Sequence, residues 1–374
     1  MSIDLRNFVN INIQPSIQPS VSGTRDVVAL LTIESGIVNS NSLEPIFTYE
    51  DYLASLTDVG DLSDGLTATR TGGTIEIPST MTATLAYLDM YFKNGGIKCY
   101  VATTSSLAND ILALPNEYIV VAYCYTAGAD NYELVEPVAE SRNSNTTIYG
   151  INEKILLARS TTVKDDSVKN FAVKYSTEVG AEMTIAAYLS QVNVYGINTI
   201  QDYMFTLEAI DAEDISNSVY GNIIDANMNV DISLQGDVRN CGGNDKDGDS
   251  LINNYTRIIL HQTLTERLIS LLATKIKSVD GVSKIYATIV DELERYITNG
   301  YLTTDKIWTK PTLKIGNTVV IEKGTPLLKG YVIKVLPMSV LSPEDKKAGK
   351  CPPIYIVLAD QYSIRVINID GEVI

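Results

Sequence analysis

The sequence predicts an α/β body over residues 25–200, an α+β domain over 201–352, and extended β-strand arms at both ends, 1–24 with its linker and 353–374. Three observations carry this. Strand-like apolar runs alternate with helix-like stretches in the first half. Two long leucine- and isoleucine-striped stretches followed by β-like segments fill the second. Short β-rich runs beside paired prolines stand near the two termini.

In chain order, Val9 to Gln14 reads Val-Asn-Ile-Asn-Ile-Gln, so Val9, Ile11 and Ile13 share one face of a half-buried strand. Pro15, Pro19 and Gly23 follow as a stiff spacer. At a rise of about 3.3 Å per residue, ten such residues would carry the strand roughly 30 Å from the body. Val27 to Glu34 is an apolar run expected to form a strand buried on both faces. Ile46 to Tyr49 reads as a short strand leading into a helix start at Glu50-Asp51-Tyr52-Leu53. From Thr82 the spacing predicts a helix with Leu85, Leu88 and Phe92 on one face, stopped by Asn94-Gly95-Gly96. Ile97–Ala102, Tyr118–Tyr125 and Lys154–Arg159 are expected strands, and Glu182–Val192 a helix.

Val230 to Asn254 turns rich in Gly, Asn and Asp, and its stretch Gly242–Asp249 is expected to make a tight turn of positive φ. Its run from Gly242 to Asp249 imitates a calcium loop, but the register fails. With Gly248 at the sixth position, Gly243 falls first and Asn254 twelfth, where Asp and a bidentate Glu are needed. Leu260, Leu264, Leu268 and Leu271/Leu272 stripe one helix; Ile285, Ile289, Leu293 and Tyr296/Ile297 stripe a second, closed by Asn299-Gly300. Val279-Asp280-Gly281 is expected to turn the chain between them. Thr318–Glu322, Lys329–Leu336 and Tyr355–Leu358 are expected strands, with Ser342–Lys350 as a polar connection. After Pro352-Pro353, the run Ser363–Ile369 predicts a second arm strand bearing Ile364, Val366, Ile367 and Ile369. The two terminal strands either pair within one subunit or complete a neighbour's sheet through main-chain hydrogen bonds.

Among 374 residues, 29 Lys and Arg stand against 45 Asp and Glu, a net charge of −16. No nucleic-acid partner is expected, because that excess repels a phosphate backbone and no basic patch offsets it. The longest apolar runs fall well short of the roughly 20 residues that cross a bilayer, so no membrane insertion is expected. The first residues carry no charged leader with an apolar core, which predicts cytosolic synthesis. Cys99, Cys124, Cys241 and Cys351 lie far apart and are expected as buried thiols. The single histidine, His261, sits inside a predicted helix, so a nucleophile–histidine pair has one weak candidate. Asp165-Asp166, Asp211-Glu213-Asp214 and Asp291-Glu292-Glu294 have no spacing that selects a catalytic dyad. No catalytic, cofactor-binding or metal-binding residue is therefore assigned.

Three stretches together resemble the tail sheath proteins of contractile phage tails and phage-tail-like particles. The first is Tyr91-Phe92-Lys93-Asn94-Gly95-Gly96-Ile97-Lys98-Cys99-Tyr100-Val101. The second is Ile46-Phe47-Thr48-Tyr49 with Glu50-Asp51-Tyr52. The third runs from Gly242-Gly243 through Arg257 to Lys277, then Asp280-Gly281, and ends at Asn299-Gly300-Tyr301-Leu302. The resemblance implies a homo-oligomer of hexameric rings in a helical stack around a tail tube protein, bounded by baseplate and tail-terminator proteins. It implies arms interlaced between neighbours, no cofactor, assembly in the host bacterial cytoplasm and residence in the virion tail sheath. Arg257, Arg267, Lys275 and Lys277 are then candidates to face the tube; a solvated helix face is the plainer reading of the same residues. The alternatives are a non-contracting sheath-like or baseplate-associated protein, and a cytosolic α/β enzyme of fixed small size with a pocket of perturbed acids.

Overall fold

The computed structural model describes residues 28–33, 69–71, 74–76, 83–104, 106–114, 118–125, 130–144, 154–164, 171–192, 204–242, 251–272, 278–315 and 317–359. Both expected arm strands, the Ile46–Tyr49 segment and residues 243–250 lie outside these residues.

The elements run β1 (Val28–Thr32), β2 (Thr69–Thr71), β3 (Thr74–Glu76), α1 (Ala83–Lys93), β4 (Tyr100–Thr103), α2 (Leu107–Ala113), β5 (Val120–Cys124), α3 (Tyr132–Ser144), β6 (Ile155–Ser160), β7 (Ala172–Tyr175) and α4 (Met183–Gln191). They continue with β8 (Met204–Leu207), α5 (Asn217–Asp225), β9 (Asn229–Leu234), β10 (Asp237–Gly242), α6 (Leu251–Leu272) and α7 (Ser278–Thr298). Short strands β11 (Lys306–Ile307), β12 (Leu313–Ile315), β13 (Thr318–Ile321) and β14 (Pro326–Leu327) precede β15 (Tyr331–Val335), α8 (Pro343–Lys347) and β16 (Ile354–Leu358).

Eight strands form one sheet in the order β4-β1-β5-β6-β7-β9-β10-β8. It is parallel from β4 through β9, and β10 runs antiparallel to both β9 and β8. Residues of β1, β5 and β6 are buried at every position, as continuous apolar runs require of strands covered on both faces. Alternate side chains divide the core in two. Val28, Leu30, Val120, Ala122 and Leu157 face α1, α4, α6 and α7, while Ala29, Leu31, Val121, Leu156 and Val173 face α2, α3 and α5. This is an α/β sandwich whose sheet takes strands from both sides of residue 200.

The ribbon β15–β16 joins this core to a smaller one. Tyr331 and Ile356 pack with the helices α6 and α7, whereas Val332 and Val357 turn to Val320, Ile321 and Leu327. The two faces of one antiparallel pair thus belong to two cores.

The Asn94-Gly95-Gly96 stop has a separate reason for each residue. Gly95 takes φ +82°, the left-handed cap conformation that a side chain resists. Asn94 donates from Nδ2 to the Met90 carbonyl at 2.8 Å and accepts through Oδ1 from the Glu208 and Ala209 amides at 3.3 Å. Gly96 leaves space for the buried Tyr91 ring, whose hydroxyl donates to the Lys98 carbonyl at 2.7 Å; a Cβ on Gly96 would lie 2.4 Å from that ring. Gly96→Ala is expected to cost about 1–3 kcal/mol of stability in urea unfolding. In a chain already carrying Tyr91→Leu the added cost should shrink, because the colliding ring is gone.

Two expectations are corrected. The strand after the double glycine begins at Tyr100 rather than Ile97, since Gly96–Lys98 is spent turning around the Tyr91 hydroxyl. Val279-Asp280-Gly281 is helical, inside the first turn of α7. The stretch from Val230, for which no element was expected, holds the β9–β10 hairpin, turned by Gln235 at φ +55° and Gly236 at φ +95°. Of the cysteines, Cys99, Cys124 and Cys241 are buried as expected and Cys351 is exposed.

Candidate functional site

An open parallel sheet ordinarily holds a ligand beyond the carboxyl ends of its strands, where the strand order reverses. Here that place is beside β1, between β4 and β5; a buried polar cluster lies along the neighbouring strand ends, those of β5, β6 and β7. Glu182, just before α4, accepts through Oε1 from the Tyr87 hydroxyl at 2.7 Å and from Asn131 Nδ2 at 2.8 Å. Asn131 Nδ2 also donates to the Tyr123 carbonyl at 2.7 Å, and its Oδ1 accepts from the Arg159 amide at 2.6 Å. Arg159, 1% exposed, donates from its guanidinium to the Ser176 carbonyl at 3.2 Å and lies 3.6 Å from Asp130. Burial pushes the Glu182 carboxyl up, opposed by the Tyr87 hydrogen bond and the Arg159 charge. The Tyr87 phenol is pushed well up by the same burial and by Glu182. These hydrogen bonds tie α1, α3 and α4 to the strand ends, while Glu182 Oε2 accepts none among the described residues.

A second cluster sits where the sheet changes from parallel to antiparallel. Lys174 on β7, completely buried, directs Nζ to Asp231 Oδ1 on β9, to Asn240 Oδ1 on β10 at 2.6 Å and to Thr184 Oγ1 on α4 at 3.2 Å. Asn240 Nδ2 donates to Asn229 Oδ1 at 3.3 Å. Asp231 and Asn240 are directly opposed in register, and Asp231 Oδ2 has no partner among the described residues. Burial pushes the Lys174 ammonium down and the Asp231 carboxyl up, against their mutual attraction.

Of the candidate tube-facing residues, Arg257 lies on α6 with only its backbone described, and Lys275 and Lys277 lie outside the described residues. Arg267 Nε forms an ion pair at 3.1 Å with Glu292 of α7, a fully buried carboxyl that Arg295 also contacts. His261 is buried within α6, as its helical setting predicts. The arm residues Val9, Ile11, Ile13, Ile364, Val366, Ile367 and Ile369 all lie outside the described residues.

Edges for strand addition are present. Among the described residues β4 pairs only with β1. In the β15–β16 ribbon, Ala359 N donates to the Gly330 carbonyl at 2.8 Å and Leu336 N to the Pro353 carbonyl at 3.1 Å. Those bonds fix the phase of the antiparallel ladder. Tyr331, Ile333 and Val335 on one strand, and Ile354, Ile356 and Leu358 on the other, therefore turn their amides and carbonyls away from the partner. Ile307 and Leu328 stand exposed nearby in the smaller lobe, at 59% and 67%.

Neither buried cluster was read from sequence. Lys174, Arg159, Glu182 and Asp231 come from separate segments, and a lone inward charge in a short strand carries no local signature. Among the described residues there is no group of His, Cys, Asp and Glu that would hold a metal ion, and no helix is long and apolar enough to cross a membrane.

No protein-family model and no curated protein matches the chain. Its fold does have a solved counterpart. The helical sheath of the anti-feeding prophage, determined by cryo-EM in its contracted state, matches with a TM-score of 0.56 over 98% of this chain and 98% of that one, at 13% identity. The expected fold class is thereby met: the chain shares the α/β fold of that sheath protein.

Proposed function

We propose that this chain is the structural subunit of a contractile tail sheath, polymerising around an inner tail tube and driving it forward as the lattice shortens and widens. The observation that carries the reading is the fold correspondence over 98% of both chains, with no large unmatched domain on either side. Subunits stack as hexameric rings, meet baseplate and tail-terminator proteins at the ends of the tube, and need neither nucleotide nor cofactor.

In this reading the arms are the connectors. Val9, Ile11 and Ile13 at one end, and Ile364, Val366, Ile367 and Ile369 at the other, add as strands to a neighbour's sheet. The outward-facing amides of the β15–β16 ribbon are suited to receive them. Pro15, Pro19, Pro352 and Pro353 stiffen the connections so that the body rotates while the strands stay paired. Such a head-to-tail association does not close, so it builds an open filament. The extended lattice is metastable; each subunit that repacks against its neighbours on contraction adds a small stabilisation, and these increments sum over many copies.

Negative-stain electron microscopy of the purified full-length chain across a concentration series tests this. Striated tubes, lengthening with concentration, are expected. Uniform particles of one small size at every concentration, with tail tube protein present as well as absent, would overturn it and favour the enzyme reading.

A further inference from the structure

We propose that Lys174 and Asn240 become joined by an intramolecular amide bond, with Asp231 carrying protons between them. Three strands converge to build this site. Lys174 reaches from β7 over β9, and its Nζ rests 2.6 Å from the Asn240 side-chain oxygen on β10, beside the amide carbon it would attack. Asp231, on the intervening strand, holds the same Nζ by hydrogen bond and lies directly opposite Asn240 in the ladder. The Asn240 nitrogen is turned to Asn229 Oδ1, which orients it as a leaving group. The second Asp231 oxygen, buried and unpartnered, has an unfilled hydrogen-bonding position to accept and return a proton.

The environment favours the reactive forms. An ammonium has no lone pair, so Lys174 must lose a proton before it attacks. Complete burial pushes its ammonium down and the Asp231 carboxyl up, which moves the pair toward neutral amine and neutral acid. The amine lone pair forms a bond to Asn240 Cγ as the carbonyl electrons move onto Oδ1, where the Asp231 proton steadies them. The tetrahedral centre collapses, the Cγ–Nδ2 bond breaks, and Asp231 relays a proton from the attacking nitrogen to the departing one. One C–N bond forms, one breaks and ammonia leaves; nothing is oxidised or reduced and no co-reactant enters. Held in contact and shielded from water, the groups gain from proximity what free amides lack.

The bond would staple β7 to β10 across β9, at the junction between the parallel and antiparallel parts of the sheet. That is a useful brace in a subunit that transmits force, although the chemistry does not depend on the sheath reading.

The test is mass spectrometry of the purified full-length chain after denaturation. The expected results are an intact mass lower by one ammonia and, after trypsin digestion, a branched peptide linking Lys174 to Asn240 with no cleavage after Lys174. The branched peptide decides, since ammonia is also lost by other routes. Asp231→Ala and Asn240→Ala should each return the unlinked mass and restore cleavage after Lys174. Unlinked Lys174 and Asn240 peptides from the unmodified chain would overturn the proposal. So would a link from Lys174 to Asp231 with loss of water, which would make the aspartate the electrophile. Both overturning results are read on the unmodified chain, so the folding of the variants does not enter.

Discussion

Replacing Glu182 by Leu is expected to lower the unfolding free energy by about 3–5 kcal/mol, the usual cost of removing one member of a buried charged group. The carboxylate accepts from Tyr87 and Asn131 at once and lies within the field of Arg159, all of them buried. A leucine takes the acceptor from the Tyr87 hydroxyl and from one Asn131 N–H and removes a carboxylate from the field of Arg159, in the place where α1, α3 and α4 meet the strand ends. Glu182→Gln keeps an acceptor at Oε1 and should cost about 0.5–1.5 kcal/mol. Urea unfolding monitored by circular dichroism measures both. The pair also carries a pH signature. Burial raises the folded Glu182 carboxyl above its unfolded value, so its contribution is fully present below the unfolded carboxylate range. As pH rises through that range toward the raised folded value, the unfolded chain loses its proton first and stability falls. Glu292 is pushed in the same direction by burial, whereas the raised Asp231 is offset by the lowered Lys174 beside it. The urea midpoint is therefore expected to fall as pH rises through and above the ordinary carboxylate range, with a shallower slope in Glu182→Gln. Equal slopes in the two chains would assign the dependence to other acids.

What could be read in advance follows from where each signal resides. Val28–Thr32, Val120–Cys124 and Ile155–Ser160 were legible because a strand covered on both faces must be apolar at nearly every position, and that requirement is local. The end of α1 was legible because Asn94-Gly95-Gly96 encodes a left-handed cap in the residues themselves. The β9–β10 hairpin was hidden for the opposite reason. Its inward positions are Asn229, Asp231 and Asn240, which read as loop residues until Lys174 and Thr184, far away in sequence, satisfy them. Gly281 misled because a glycine one turn inside a helix looks like a break, while the rest of α7 carries a strong enough apolar stripe to absorb it. The strand-end cluster needed the topology itself: Tyr87, Asn131, Arg159 and Glu182 are brought together only once β1, β5 and β6 lie side by side. A sheath fold was therefore more legible than the chemistry inside it, since the fold rests on many local signals and the clusters on a few distant ones.

Deleting residues 1–14 is expected to abolish tube formation while leaving the urea midpoint of the body unchanged. The two halves of that result separate the possible fates of the strand carrying Val9, Ile11 and Ile13. Donated to a neighbour, the strand contributes main-chain hydrogen bonds and three apolar side chains to every intersubunit interface and nothing to the isolated body. Removing even about 4 kcal/mol from each interface raises the critical concentration about a thousandfold, enough to dissolve a filament at ordinary protein concentrations. Paired instead within its own subunit, the same strand would stabilise the body, and its deletion would lower the midpoint and leave the assembly to fail or survive with the fold. Ile11→Asp refines the distinction. A charge on the apolar face should reproduce the deletion in electron micrographs, whereas Asn12→Ala, on the opposite face of the same strand, should assemble like the intact chain. Equal behaviour of the two substitutions would mean that the strand is not bound by one face, and the alternation from Val9 to Gln14 would lose its meaning as a docking register.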